Sequence, residues 1–132
     1  MFRKLGLALL VTLVSVSASY AREWVRLGER HVGFLQDHDR IDVGRFEGRF
    51  RRLKLIVHRN EIELRRIVVE FGNGQKEDAE FHRQIPEGGE AVLDLRTGWS
   101  DGRFIRHVDL NYRSRPDWTG REAWVELWGQ ED

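Results

Sequence analysis

Ile62-Glu63-Leu64-Arg65-Arg66-Ile67-Val68-Val69-Glu70-Phe71-Gly72-Asn73-Gly74 decides the fold. Ile62 and Leu64 alternate with charged residues, as a strand with one buried face requires. Beyond the paired arginines the phase flips, and Ile67, Val69 and Phe71 carry the apolar face. A strand with one buried face cannot point both sets inward without an extra residue, so a β-bulge is expected near Arg65-Arg66. Gly72-Asn73-Gly74 then reads as a tight turn, because its residues tolerate positive φ.

Outward from this stretch the same pattern repeats. Phe50 to His58 puts Leu53, Leu55 and Val57 on one face, and Arg59-Asn60 turns the chain into Ile62 to Phe71. Lys76 to Ile85, Ala91 to Leu95, Phe104 to Tyr112 and Arg121 to Trp128 follow, separated by Pro86-Glu87-Gly88-Gly89, by 97–102 and by 114–120. Upstream, Trp24 to Leu27 and Ile41 to Arg45 are further strands, and His31 to Leu35 continues the first or pairs elsewhere. Gln36 to Arg40 reads as a polar loop between them. Sustained helical periodicity is absent. The expected fold is an all-β sandwich of seven to nine strands with little helix, jelly-roll or galactose-binding-like in general shape.

The first and last strands share one grammar. Trp24-Val25-Arg26-Leu27 and Trp124-Val125-Glu126-Leu127 each place Val and Leu on one face and Trp with a charge on the other. Antiparallel pairing of the two would bring Arg26 and Glu126 together on the outer face, and chain ends are usually close in a domain.

Residues 1–21 read as a secretory signal peptide, leaving 22–132 as one mature domain. Arg3 and Lys4 give a positive start, the apolar run from Leu5 is about a dozen residues, and Ser19 and Ala21 suit the cleavage positions. That run is short for a spanning helix, which needs about 20 residues. No stable membrane span is expected after cleavage, and the expected location is periplasmic or secreted.

The full chain has 22 basic and 22 acidic residues, and losing Arg3 and Lys4 leaves the mature domain with 20 against 22. This is no basic excess of the kind nucleic acid demands, so no nucleic-acid partner is expected. Cysteine is absent, which removes disulfides, thiolate metal sites and a cysteine nucleophile from consideration. Nineteen of the basic residues are arginine, as codon usage in a GC-rich genome would produce.

Chemistry-bearing patterns are sparse. Asp37, Asp39 and Asp42 offer hard oxygens for a cation such as Ca²⁺, but Arg40 lies among them and no EF-hand glycine or terminal glutamate is present. His58, His82 and His107 fall in strands without a short metal-ligand spacing. Ser100 and Ser114, the only serines after the leader, lack the nucleophile-elbow context. No catalytic residue and no cofactor are expected, and the domain reads as a non-enzyme.

The five tryptophans are the most informative side chains. Trp24, Trp124 and Trp128 lie in strands and read as a second buried layer. Trp99 and Trp118 lie in loops and read either as anchors of those loops or, with Asp101 and Arg103, as the candidate ligand-binding residues, since an indole beside polar groups can stack on a sugar ring. Alternating arginine and glutamate across the strands reads as a solvated face that blocks edge pairing, or as a grip on anionic envelope polymers.

The run of an exported leader, a Trp/Leu-Gly opening strand, Phe50-x-x-Leu53-x-Leu55, Phe71-Gly72-Asn73-Gly74, Gly88-Gly89 before Leu93-Asp94-Leu95, and Ile105-x-x-Val108-x-Leu110-x-Tyr112 resembles the small exported bacterial proteins grouped as domain-of-unknown-function family 2541. The resemblance covers most of the mature chain and rests on strand and turn grammar. It implies no activity and brings no functional residues with it. The leading expectation is a non-catalytic binding module of the bacterial envelope, recognising glycan or another envelope component. The alternatives are a structural or stress-related periplasmic protein without a ligand, and a hydrolase or metal-binding protein.

Overall fold

The computed structural model describes residues 23–96 and 104–131. They form eight strands: β1 (Trp24–Val32), β2 (Asp37–Asp42), β3 (Phe50–His58), β4 (Ile62–Phe71), β5 (Lys76–Ile85), β6 (Glu90–Asp94), β7 (Ile105–Ser114) and β8 (Ala123–Glu131). A three-residue 3-10 turn, Arg45–Glu47, lies between β2 and β3. The strands pair antiparallel into two four-stranded sheets, β1-β8-β3-β6 and β2-β7-β4-β5. Each sheet thus interleaves early and late strands, the order of an eight-stranded jelly roll.

Between the sheets lies one core. Leu53, Leu55 and Val57 of β3, Ala123, Val125 and Leu127 of β8, Ile67, Val69 and Phe71 of β4 and Val108, Leu110 and Tyr112 of β7 are all buried. Each fully buried aliphatic side chain of this kind is worth about 1.5–3 kcal/mol, enough in aggregate to hold a domain without a disulfide. The expected bulge in β4 is present. Leu64 pairs with Tyr112 and Arg66 with Asn111, leaving Arg65 as the extra residue that returns Ile67 to the core side.

The terminal strands pair as their shared grammar suggests. Val25 faces Gly129 and Arg26 faces Trp128, and Arg26 Nε lies 3.1 Å from Glu126 Oε2. One detail differs. A bulge falls between Arg26 and Gly28, so Leu127 pairs with Gly28 and Leu27 becomes the inserted residue. Gly28 suits that place, since a Cβ there would meet Ile41 Cγ2 at 3.0 Å.

Two sequence expectations are corrected. Asp37 to Arg40 are not a loop but most of β2, and β1 ends at Val32, so that the connection is only residues 33–36. The acidic run is tolerated because β2 is an edge strand, with Ile41 buried and His38, Arg40 and Asp42 exposed. Trp24, Trp124 and Trp128 do not form a second buried layer; they are half-buried on the outer face of the β1-β8-β3-β6 sheet. No helix among the described residues is long and apolar enough to cross a membrane.

Candidate functional site

Strand directions gather the β1–β2 connection, the β3–β4 turn, the 86–89 connection and the β7–β8 loop at one end of the sandwich. Buried Ser114 organises this end. Its Oγ donates to Val32 O at 2.6 Å and accepts from Ala123 N at 2.7 Å, tying the ends of β1 and β7 to the start of β8.

The β7–β8 loop is fixed at both of its roots by one side chain. Buried Asn60 donates from Nδ2 to the carbonyl of Arg115 at 2.9 Å and to that of Arg121 at 2.7 Å, while its Oδ1 accepts from Glu61 N at 2.7 Å. Asp117 Oδ1 braces the tip by accepting from the Thr119 hydroxyl and from the backbone N–H groups of Thr119 and Gly120. The Thr119 hydroxyl and these N–H groups hold the Asp117 carboxyl below its ordinary range, against a smaller opposing effect of burial. On this braced loop Trp118 stands 96 % exposed. So exposed a ring is no anchor for the loop among the described residues, and Leu35 of the β1–β2 connection at the same end is 85 % exposed.

Beside the loop is an open depression of about 460 Å³ lined by Glu29, Arg30, His31, Arg59 and Trp124. A relay of contacts holds the Trp124 ring. His58 stacks on it at 4.0 Å between centroids, His58 Nε2 lies 2.6 Å from Glu126 Oε1, and Arg26 bridges Glu126 to Glu29. Arg30 is fixed by donating to Glu29 O at 2.7 Å and across the sheets to Arg40 O at 2.8 Å. Arg59 sits in the β3–β4 turn at φ 74°, in the left-handed region. Trp24 is less available as a platform, because Lys54 Nζ lies 4.1 Å from its ring centroid.

Of the residues singled out from sequence, Trp118 is at this end, and Trp99, Asp101 and Arg103 lie outside the described residues. The three aspartates are divided. Strand alternation sends Asp37 and Asp39 to one face and Asp42 to the other. Asp37 accepts from Gly33 N at 2.7 Å and Asp39 from the Tyr112 hydroxyl at 2.8 Å. Burial, then the Asp39 carboxylate, pushes the Tyr112 hydroxyl far above its ordinary range, so it remains a donor. His58 belongs to one sheet and His82 and His107 to the other. Among the described residues no three His, Asp or Glu side chains come together to hold a metal.

Two depressions lie elsewhere, one lined by Gln36, Arg66, Glu80 and neighbouring side chains, the other by acidic residues of β5 and β6 with Leu93 and Arg96. Neither has a tryptophan, tyrosine or phenylalanine ring in its wall. Sequence reasoning missed Trp124, Arg30 and Arg59 as site residues; the only signal was the Trp-charge alternation of β1 and β8.

A family model described as Domain of unknown function (DUF2541) matches residues 6–129. No curated protein matches the chain. Among solved structures, that of Pseudomonas aeruginosa AlgX is similar, with 16 % identity and a TM-score of 0.50 over 87 % of this chain. The chain spans 28 % of the length of that structure, and at this identity the likeness concerns the fold alone.

Proposed function

The chain belongs to the DUF2541 family, a membership that supplies no activity, and on that premise we propose that its mature domain is an exported, non-catalytic module that binds saccharide of the bacterial envelope at the end of the sandwich carrying Trp118 and Trp124. The observation that carries this reading is Trp118, held 96 % exposed on a loop that Asn60 and Asp117 make rigid. Tryptophan is among the side chains with most to gain from burial. Holding one in water on a braced loop is unfavourable for the free domain and favourable for one that stacks the ring on a ligand. Pre-ordering the loop also lowers the conformational cost of binding. The Trp124 depression beside it supplies what a sugar site needs, a half-buried ring bordered by a few fixed polar groups.

Export is supported by the leader-like segment, with its basic start, short apolar run and small residues at 19 and 21. A non-catalytic role is supported by three carboxylates of this end being engaged already: Glu29 with Arg26, Glu126 with Arg26, and Asp117 with its own loop.

The test is a titration of the mature domain with envelope oligosaccharides, read by tryptophan fluorescence and calorimetry. Saturable binding that Trp118→Ala and Trp124→Ala each weaken is expected. A flat response across neutral and acidic glycans defeats the proposal and favours a structural role without a ligand.

A further inference from the structure

The charges lining the Trp124 depression are not balanced as those of the whole domain are. Its carboxylate, Glu29, is already engaged by Arg26. Its two guanidinium groups are not matched in this way. Arg30 makes hydrogen bonds to the backbone carbonyls of Glu29 and Arg40 and has no carboxylate partner among the described residues. Arg59 has no hydrogen-bond or ion-pair partner among the described residues, and it occupies the turn at φ 74°, where a non-glycine residue is strained. A glycine or asparagine would suit that backbone better. The depression is thus a local cationic pocket with an indole in its wall, on a domain whose formal charge is close to zero.

Resting on the saccharide reading, we infer that the ligand is an anionic saccharide, with a carboxylate or phosphate on the ring meeting Arg30 and Arg59 while the sugar face meets Trp124. Guanidinium forks match the planar oxygens of either anion, and such charge-assisted hydrogen bonds are stronger than neutral ones. The indole contributes what charge does not. An extended acidic peptide carries the same anion but offers no flat aliphatic ring face to stack. Arg30 is held in place before binding by its two carbonyls, so the anion meets one donor already ordered.

The experiment uses the mature domain and four probes: an oligogalacturonate, the same oligosaccharide with its carboxyl groups reduced, a sugar phosphate and poly-glutamate. Expected is saturable binding of the oligogalacturonate or the sugar phosphate, with the better of the two identifying the anion. That binding should weaken as salt is raised and fall roughly tenfold or more in Arg59→Asn and in Arg30→Gln. Arg59→Asn should fold at least as well as the parent, because asparagine tolerates the left-handed turn, so its loss of binding reports charge rather than unfolding. Equal binding of the carboxyl-reduced form, unchanged in Arg59→Asn, overturns the anionic assignment and leaves the saccharide reading standing. Poly-glutamate binding as tightly as the acidic sugars overturns it in favour of charge attraction alone. No binding of any probe, together with a flat response to neutral envelope glycans, overturns both.

Discussion

Asn60 and Arg121 are joined by a 2.7 Å hydrogen bond from the Asn60 side-chain amide to the Arg121 carbonyl, and the same nitrogen reaches Arg115 O on the other side of the loop. A single buried amide therefore closes the root of the β7–β8 loop. Asn60→Asp keeps the shape and removes the donor, leaving both carbonyls without it. A cost of about 1–3 kcal/mol is expected, together with weaker saccharide binding. Denaturant titration checks the first and calorimetry the second; an Asn60→Asp domain as stable as the parent would show that the clamp is unimportant.

Trp118 is predicted to separate binding from folding. Its ring is almost wholly in water, so Trp118→Ala should change stability by no more than about 0.5 kcal/mol. The same variant should lose most of the saccharide-dependent fluorescence change. A marked drop in melting temperature would mean that the ring supports the loop.

Gly74 has φ +87° in the β4–β5 turn, with Gly74 N donating to Phe71 O at 2.8 Å. A β-branched residue is poorly accommodated there. Gly74→Val should cost on the order of 1–2 kcal/mol and Gly74→Asn clearly less. Thermal melts of the pair provide the check, and equal stability of the two would contradict the turn geometry.

The Asp117 brace is predicted to be acid-sensitive. The carboxyl is held below its ordinary range in the folded loop. Its contribution is therefore complete above the unfolded value, about 3.9 for aspartate, and is lost as pH falls through the lower folded value. Exchange of the Thr119 and Gly120 amides should quicken only in that acid window. Asp117→Asn should remove most of this pH dependence. A loop whose amide exchange shows no added acid sensitivity relative to Asp117→Asn would contradict the assignment.

Much of the fold was legible because inward and outward residues alternate with period two. The phase change across Arg65-Arg66 announced a bulge, and the matched ends announced the β1–β8 pair. What failed has a common cause. Strand 37–42 hides because an edge strand with a charged outer face has the composition of a loop. Alternation placed Trp124 opposite Val125, but it does not say whether the opposite face is covered. The depression was illegible for another reason. It assembles β1, β8 and the β3–β4 turn, so it depends on a register that the bulge at Leu27 resets. Trp118 was readable as a loop aromatic, while its brace comes from Asn60, 58 positions away, and appears only in three dimensions.

β8 lies between β1 and β3 in its sheet. Residues 122–132 are therefore not a removable tail, and deleting them should abolish cooperative unfolding rather than lower its midpoint. The arrangement also orders events during synthesis. β1 is the first strand made, yet its hydrogen-bonded neighbour in the sheet is the last, so β1 must wait unpaired until the end of the described chain emerges. A nascent chain lacking that final segment has no finished sheet into which its first strand can lock.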